Sequence, residues 1–258
     1  MNLVMGGNFE GFYWESGALE FFAKKTENIT LYTTGIGSLR GVFFGLYGQH
    51  FFIRLKDFIL EKNNPLKEIM KSSELYNSLY AQTAALLKLG RGKMSLYEPN
   101  DLKDFLEKYF GNKTLESLPA NIYFEAFDIK KNKVFILPKE TMIVDMLMME
   151  LSFPPYYHFY EYQGGNFIPT SFLSFIPQKF PENAVIVSFD SSLEYPNPKN
   201  IVELLLKVSY SRALKNYQIL SEKHQSIIPS KISNSNFYNM ALFFDGQNES
   251  EKWWEEHL

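Results

Sequence analysis

The sequence predicts an α/β domain built on a mostly parallel sheet. Three observations carry this. A β-α-β-turn-α order fills the first fifty residues, a glycine-rich loop follows each of the first two strands, and a strand apolar but for Ser188, Ala184–Phe189, recurs far downstream. Leu3–Met5 reads as a short buried strand running into Gly6-Gly7-Asn8. Glu15–Lys25 reads as a helix, with Leu19, Phe22 and Ala23 on one face. Ile29–Thr33 is β-branched and aromatic, a second strand, and the chain then turns through Gly35-Ile36-Gly37-Ser38 into an apolar helix, Leu39–Tyr47.

Arg54–Gly90 reads as mostly helical, broken once at Asn63-Asn64-Pro65, with a loop at Gly90-Arg91-Gly92. Asn100 or Asp101 is placed to cap a helix whose stripe is Leu102, Phe105, Leu106 and Tyr109 and whose stop is Gly111. Asn121–Phe127 and Lys133–Leu137 flank an Asp128–Asn132 turn. Thr141 is placed to cap a helix through Leu151, ended by Phe153-Pro154-Pro155. Pro198–His224 holds a long helix with Leu204, Leu205, Val208 and Leu214 expected to face inward. Glu249–Leu258 is a short terminal helix, whose Trp253-Trp254 pair is expected to pack it onto the domain. With no repeat, low-complexity linker or composition shift, residues 1–258 are expected to form a single domain.

Composition narrows the function classes. The chain is 45% hydrophobic and 21% charged, an ordinary globular balance. A net charge of −3 leaves no basic surplus to hold a phosphate backbone, so nucleic acid is not an expected partner. Cysteine is absent, which removes disulfides, thiolate catalysis and thiolate-bound metal. It also suits a reducing cytoplasm, the expected location. The N-terminus lacks the basic and apolar regions of a signal peptide. His50, His158, His224 and His257 lack ligand spacing, so no metal or other cofactor is expected.

The two glycine loops are the chemical signal. Backbone N–H groups at a strand-to-helix turn such as Gly6-Gly7-Asn8 can hold an anion or an oxyanion. A serine on the second turn, Ser38, is presented as α/β hydrolases present a nucleophile. Gly35-x-Gly37-x-x-x-Gly41 is also a near match to a dinucleotide fingerprint, but the acidic strand that should follow is replaced by an apparent helix, His50–Glu61.

The order and spacing resemble the patatin-like phospholipases, serine acyl hydrolases with a Ser–Asp dyad. Gly6-Gly7-Asn8-Phe9-Glu10-Gly11 resembles their glycine-rich loop, and Ile36-Gly37-Ser38-Leu39-Arg40 resembles their nucleophile elbow. The stretches from Ser95 to Phe110, Leu118-Pro119 and Ile122–Asp128 resemble that family's middle segment, and Ser152-Phe153-Pro154-Pro155 its serine- and proline-rich turn. The resemblance runs to roughly residue 215 and implies a three-layer α/β/α fold. It implies Ser38 as nucleophile, Gly6, Gly7 and Asn8 as oxyanion hole, and a lipid or acyl-ester ligand met at a peripheral membrane surface.

The departures fall on the catalytic parts. Ile36 and Arg40 replace the elbow's flanking glycines, and Glu10 replaces an arginine. The family's aspartate should fall near Phe167-Ile168-Pro169-Thr170-Ser171, where no acid stands. His158 and Asp190 are the candidate substitute bases; Asp128 and Asp145 match structural positions. Two functions follow. One is a degenerate member with lost or impaired lipid acyl hydrolysis and a lipid-binding or regulatory role. The other is an active hydrolase with a non-standard base. A carboxylate or imidazole within reach of Ser38 Oγ separates them.

Overall fold

The computed structural model describes residues 1–7, 9, 11–67, 87, 90, 94–154, 156–189, 197–198, 201–230 and 239–257. Its elements are β1 (Asn2–Met5), α1 (Phe12–Lys25), β2 (Thr30–Thr33), α2 (Gly37–Tyr47), α3 (Phe51–Leu60) and α4 (Pro99–Phe110). After these come β3 (Asn121–Asp128), β4 (Lys133–Ile136), α5 (Ile143–Leu151), β5 (Tyr160–Tyr162) and β6 (Gly165–Pro169). The chain closes with β7 (Val185–Val187), α6 (Ile201–Ser221), β8 (Ser226–Ile227) and α7 (Ala241–His257).

The described strands form one eight-stranded sheet in the order β5-β6-β3-β2-β1-β7-β8, with β4 also on β3. Strands β3, β2, β1, β7 and β8 run parallel; β4, β6 and β5 add an antiparallel edge. Side-chain alternation along β1 shows why both faces are covered. Leu3 and Met5 enter one core with Trp14, Phe22 and Leu39, whereas Val4 enters a second with Ile186, Ala213 and Tyr217. This is the three-layer α/β/α arrangement, with α1 and α2 on one side of the sheet and α6 on the other.

Several boundaries differ from the sequence reading. Helix α1 starts at Phe12, three residues early, because Phe12, Tyr13 and Trp14 are all buried and extend its apolar face. Helix α4 begins at Pro99, whose fixed φ suits a first helical position, and α5 has no side-chain cap at Thr141. The β5–β6 hairpin was not read from sequence; it closes through Gln163 and Gly164, at φ 46 and 77. Most of the predicted helical stretch beyond Lys67, and Arg91-Gly92 of the predicted loop, lie outside the described residues.

Helix α6 is a correction of substance. Leu204, Leu205 and Val208 were expected inside, yet they are 44%, 62% and 58% exposed. The buried line is Ala213 and Tyr217, one turn apart, with Leu214 partly covered beside them. Helix α7 is longer than expected and lies so close to α1 that a methyl on Gly17 would run into the Phe243 carbonyl oxygen. A methyl on Gly246 would likewise meet that of Trp14. Trp14 Nε1 donates to Glu249 at 2.7 Å, and Trp253 packs edge-on against Phe22, as the sequence implied for that tryptophan.

Candidate functional site

Strand β2 ends at Thr33, and the chain reverses into α2 over Thr34-Gly35-Ile36. The turn places a left-handed residue at Gly35, φ +58. A side chain there would also collide, since a Cβ would lie 2.7 Å from Ser171 Oγ and 3.0 Å from the Gly7 carbonyl oxygen. These contacts show that the two glycine loops and the segment after β6 converge on one point. Ile36 has ordinary helical dihedrals (φ −63, ψ −24) and is fully buried. Loss of a glycine at position 36 is thus tolerated, because the unusual backbone conformation sits one residue earlier.

Arg40 is tolerated for a different reason. Its side chain has no exposed surface and turns away from Ser38 into the core beneath the first loop. Nη2 donates to Glu15 Oε2 at 2.6 Å and to the Gly6 carbonyl at 3.0 Å, and Nη1 donates to the Phe12 carbonyl at 3.3 Å. Glu15 Oε1 accepts the Phe189 amide at 3.2 Å. Burial pushes the Glu15 carboxyl up and the Arg40 guanidinium down, and their mutual attraction opposes both effects. The pair joins α1, α2, the first loop and the end of β7 in one buried knot.

Ser38 lies in the first turn of α2 and has no exposed surface. Its Oγ donates to Glu150 Oε2 at 3.2 Å. The same oxygen accepts the Thr34 hydroxyl at 2.9 Å and, in a very short contact, the Gly35 amide. Thr170 Oγ1 donates in turn to Thr34 Oγ1 at 2.7 Å. Glu150 is completely buried at the end of α5, and desolvation raises its carboxyl pKa well above the usual range. The hydrogen bonds from Gly35, Thr34 and Ser38 oppose the rise, and the nearby Glu125 charge adds to it. Glu150 Oε1 has no hydrogen-bond partner among the described residues.

Glu150 was not foreseen. Its signal in the sequence is a lone carboxylate in the apolar run Met146-Leu147-Met148-Met149-Glu150-Leu151. A charge there has no reason to be buried unless donors converge on it. The expected location of the acid, residues 167–171, is geometrically apt but chemically altered. Thr170 and Ser171 stand beside the turn there and bring hydroxyls. Behind them Glu125 Oε1 accepts the Gln178 amide at 2.6 Å and Oε2 the Lys179 amide at 2.9 Å. Burial raises the Glu125 pKa to about 7.

The remaining candidates sit as follows. The Gly7 amide donates to the Phe175 carbonyl at 2.8 Å, so this N–H is engaged inside the fold, and Gly6 lies against the buried Glu15 carboxylate. Asn8, Glu10 and Asp190 lie outside the described residues. His158 is half-buried, with Nδ1 2.6 Å from the Phe159 carbonyl oxygen. Asp128 accepts the amides of Lys130, Lys131 and Asn166 at the end of β3, and Asp145 accepts the Tyr160 hydroxyl, so both brace the antiparallel edge. No described helix is long and apolar enough to cross a membrane.

Comparison with solved structures gives VipD from Legionella pneumophila at a TM-score of 0.53 and 10% identity, covering 99% of this chain and 67% of that one. It also gives the ExoU–SpcU complex from the type III secretion system of Pseudomonas aeruginosa, at 0.42 and 12%, covering 99% and 51%. At such identity the likeness to VipD is one of fold, and the second is too distant to support an argument. No curated protein matches by sequence. The family model for patatin-like phospholipases matches residues 3–179, a span that holds both glycine loops, Ser38, Glu150 and the β5–β6 hairpin. With well over half its length matched, on the fold just described, the chain belongs to the patatin-like phospholipase family.

Proposed function

We propose that this patatin-like domain has lost or nearly lost acyl-ester hydrolysis and acts by binding a lipid or acyl-ester ligand. One observation carries the reading. The Ser38 hydroxyl has no exposed surface and donates a hydrogen bond to a fully buried carboxyl whose pKa desolvation raises well above the usual range. Acyl transfer needs the opposite: an accessible oxygen, and a base free to accept its proton as the oxygen attacks. The developing oxyanion also needs uncommitted N–H groups, and that of Gly7 is already spent on the Phe175 carbonyl.

The test is labelling with a fluorophosphonate probe, beside Ser38→Ala. The folded wild type is expected to stay unlabelled; labelling that disappears in the variant overturns the reading. A ligand arm measures binding of fatty acids of increasing chain length by calorimetry. Affinity is expected to rise by up to about 0.8 kcal/mol per buried CH₂. A response independent of chain length argues against an acyl ligand.

A second reading, an active hydrolase, is favoured by the 3.2 Å contact itself, which puts a carboxyl within reach of Ser38 Oγ. Under it, Glu150 is the base and Glu150→Gln abolishes labelling. Under the first reading there is no labelling to abolish. The Glu150→Gln variant should stay nearly as stable as wild type at neutral pH, because one amide oxygen can accept the same three donors.

A further inference from the structure

Helix α6 presents a face that the rest of the described residues leave uncovered. Leu204, Leu205, Val208 and Ile219 are 44%, 62%, 58% and 51% exposed. Arg212 and Lys215 share this side of the helix and are also exposed. At 3.6 residues per turn these six positions fall within an arc of about 100°. Neither cation makes an ion pair among the described residues, and no described side chain of α6 on the arc is acidic. On a chain of net charge −3, this exposed strip joins aliphatic side chains to cations, and the nearest described acid in the chain, the exposed Glu222 just past the helix end, is followed by the exposed Lys223, so the strip is net positive. It is complementary to a surface that offers hydrocarbon beneath negative charge.

We infer that the outer face of α6 is a docking surface for an anionic lipid bilayer. The inference rests on the lipid-ligand reading and gives it a place of contact. Leucine, valine and isoleucine side chains enter the boundary between head groups and acyl chains, and Arg212 and Lys215 pair with lipid phosphates or carboxylates. The flank and the opposite face of the helix are fixed to the domain. Asn216 Nδ2 donates to the Leu173 carbonyl at 2.6 Å, and Tyr210 packs on Phe175 with ring centres 4.9 Å apart. Phe175 is the residue whose carbonyl holds the Gly7 amide. A bilayer that seats α6 therefore sets the position of the first glycine loop, and of the Ser38 turn against it, relative to the lipid.

The experiment is vesicle flotation of the full chain, with phosphatidylcholine alone and with about one third phosphatidylserine. Wild type is expected to float with the anionic vesicles and not with the neutral ones. Arg212→Gln with Lys215→Gln should weaken that binding about thirtyfold. Leu204→Gln with Val208→Gln should weaken it at least about tenfold. All four sites are exposed, so thermal melts of both variants should match wild type. Binding unaltered in both double variants overturns the α6 assignment while leaving lipid binding intact. A wild type that takes up fatty acid yet floats with no vesicle also overturns it, without touching the ligand reading. Sedimentation showing a dimer that Leu204→Gln with Val208→Gln dissolves would reassign the face to contact between copies of this chain, and so overturn it.

Discussion

Arg40 stands where a nucleophile elbow ordinarily has glycine, and its pairing with Glu15 makes a sharp energetic test. Arg40→Met keeps the aliphatic volume of the side chain but removes every donor to Glu15 Oε2, Gly6 and Phe12. The Glu15 carboxylate, with no exposed surface, then lacks its counter-ion. Removing one partner of such a buried pair costs about 3–5 kcal/mol. In a chain of this size that lowers the melting temperature by about 10 °C. Adding Glu15→Gln removes the orphaned charge, so the double variant should be more stable than Arg40→Met alone. The pH dependence has a definite sign. The folded-state pKa of Glu15 is raised, so its contribution is fully present below the unfolded value of 4.5 and is lost as pH rises toward the folded one. Without Arg40 the rise is larger, so Arg40→Met should be more damaging at pH 8 than at about pH 5. Urea unfolding of the four species at both pH values measures all of this. Single effects that add to within about 0.5 kcal/mol, or an Arg40→Met loss under about 1 kcal/mol, would refute an energetically coupled buried pair.

Other expectations follow from the same packing. Glu125, raised from 4.5 to about 7, stabilises the fold fully below pH 4.5 and progressively less up to about 7. At about 1.4 kcal/mol per pH unit the loss across that window is about 3 kcal/mol. Glu125→Gln should remove this pH slope, and equal slopes in urea titrations of variant and wild type would exclude Glu125 as its source. Gly17→Ala drives a methyl into the Phe243 carbonyl and must separate α1 from α7. Despite alanine's better helix propensity, a net loss of about 1–3 kcal/mol is expected, and a stabilised variant on thermal melting would show that these helices do not approach so closely.

The local chemistry of the chain was legible in its sequence. Periodicity and glycine spacing gave the parallel pairing of β1 and β2, the turn into α2 and the position of Ser38, because these depend on residues close together in the chain. The orientation of α6 was misread for an instructive reason. Leu204, Leu205 and Val208 are as apolar as core residues, and periodicity alone cannot tell a face that meets a sheet from one left outside. The site divided along the same line. Sequence placed the serine and two glycine loops but offered His158 and Asp190 as bases and not Glu150, since Glu150 reaches Ser38 across 112 residues of chain. Arg40 looked like an obstruction at the elbow until the fold supplied Glu15 as its partner. By itself the sequence determined most of the elements, the fold class and the family. Only the tertiary structure decided which carboxyl meets the hydroxyl, in which direction its pKa moves there, and that the Gly7 amide is engaged, because those are set by burial and by contacts between distant segments.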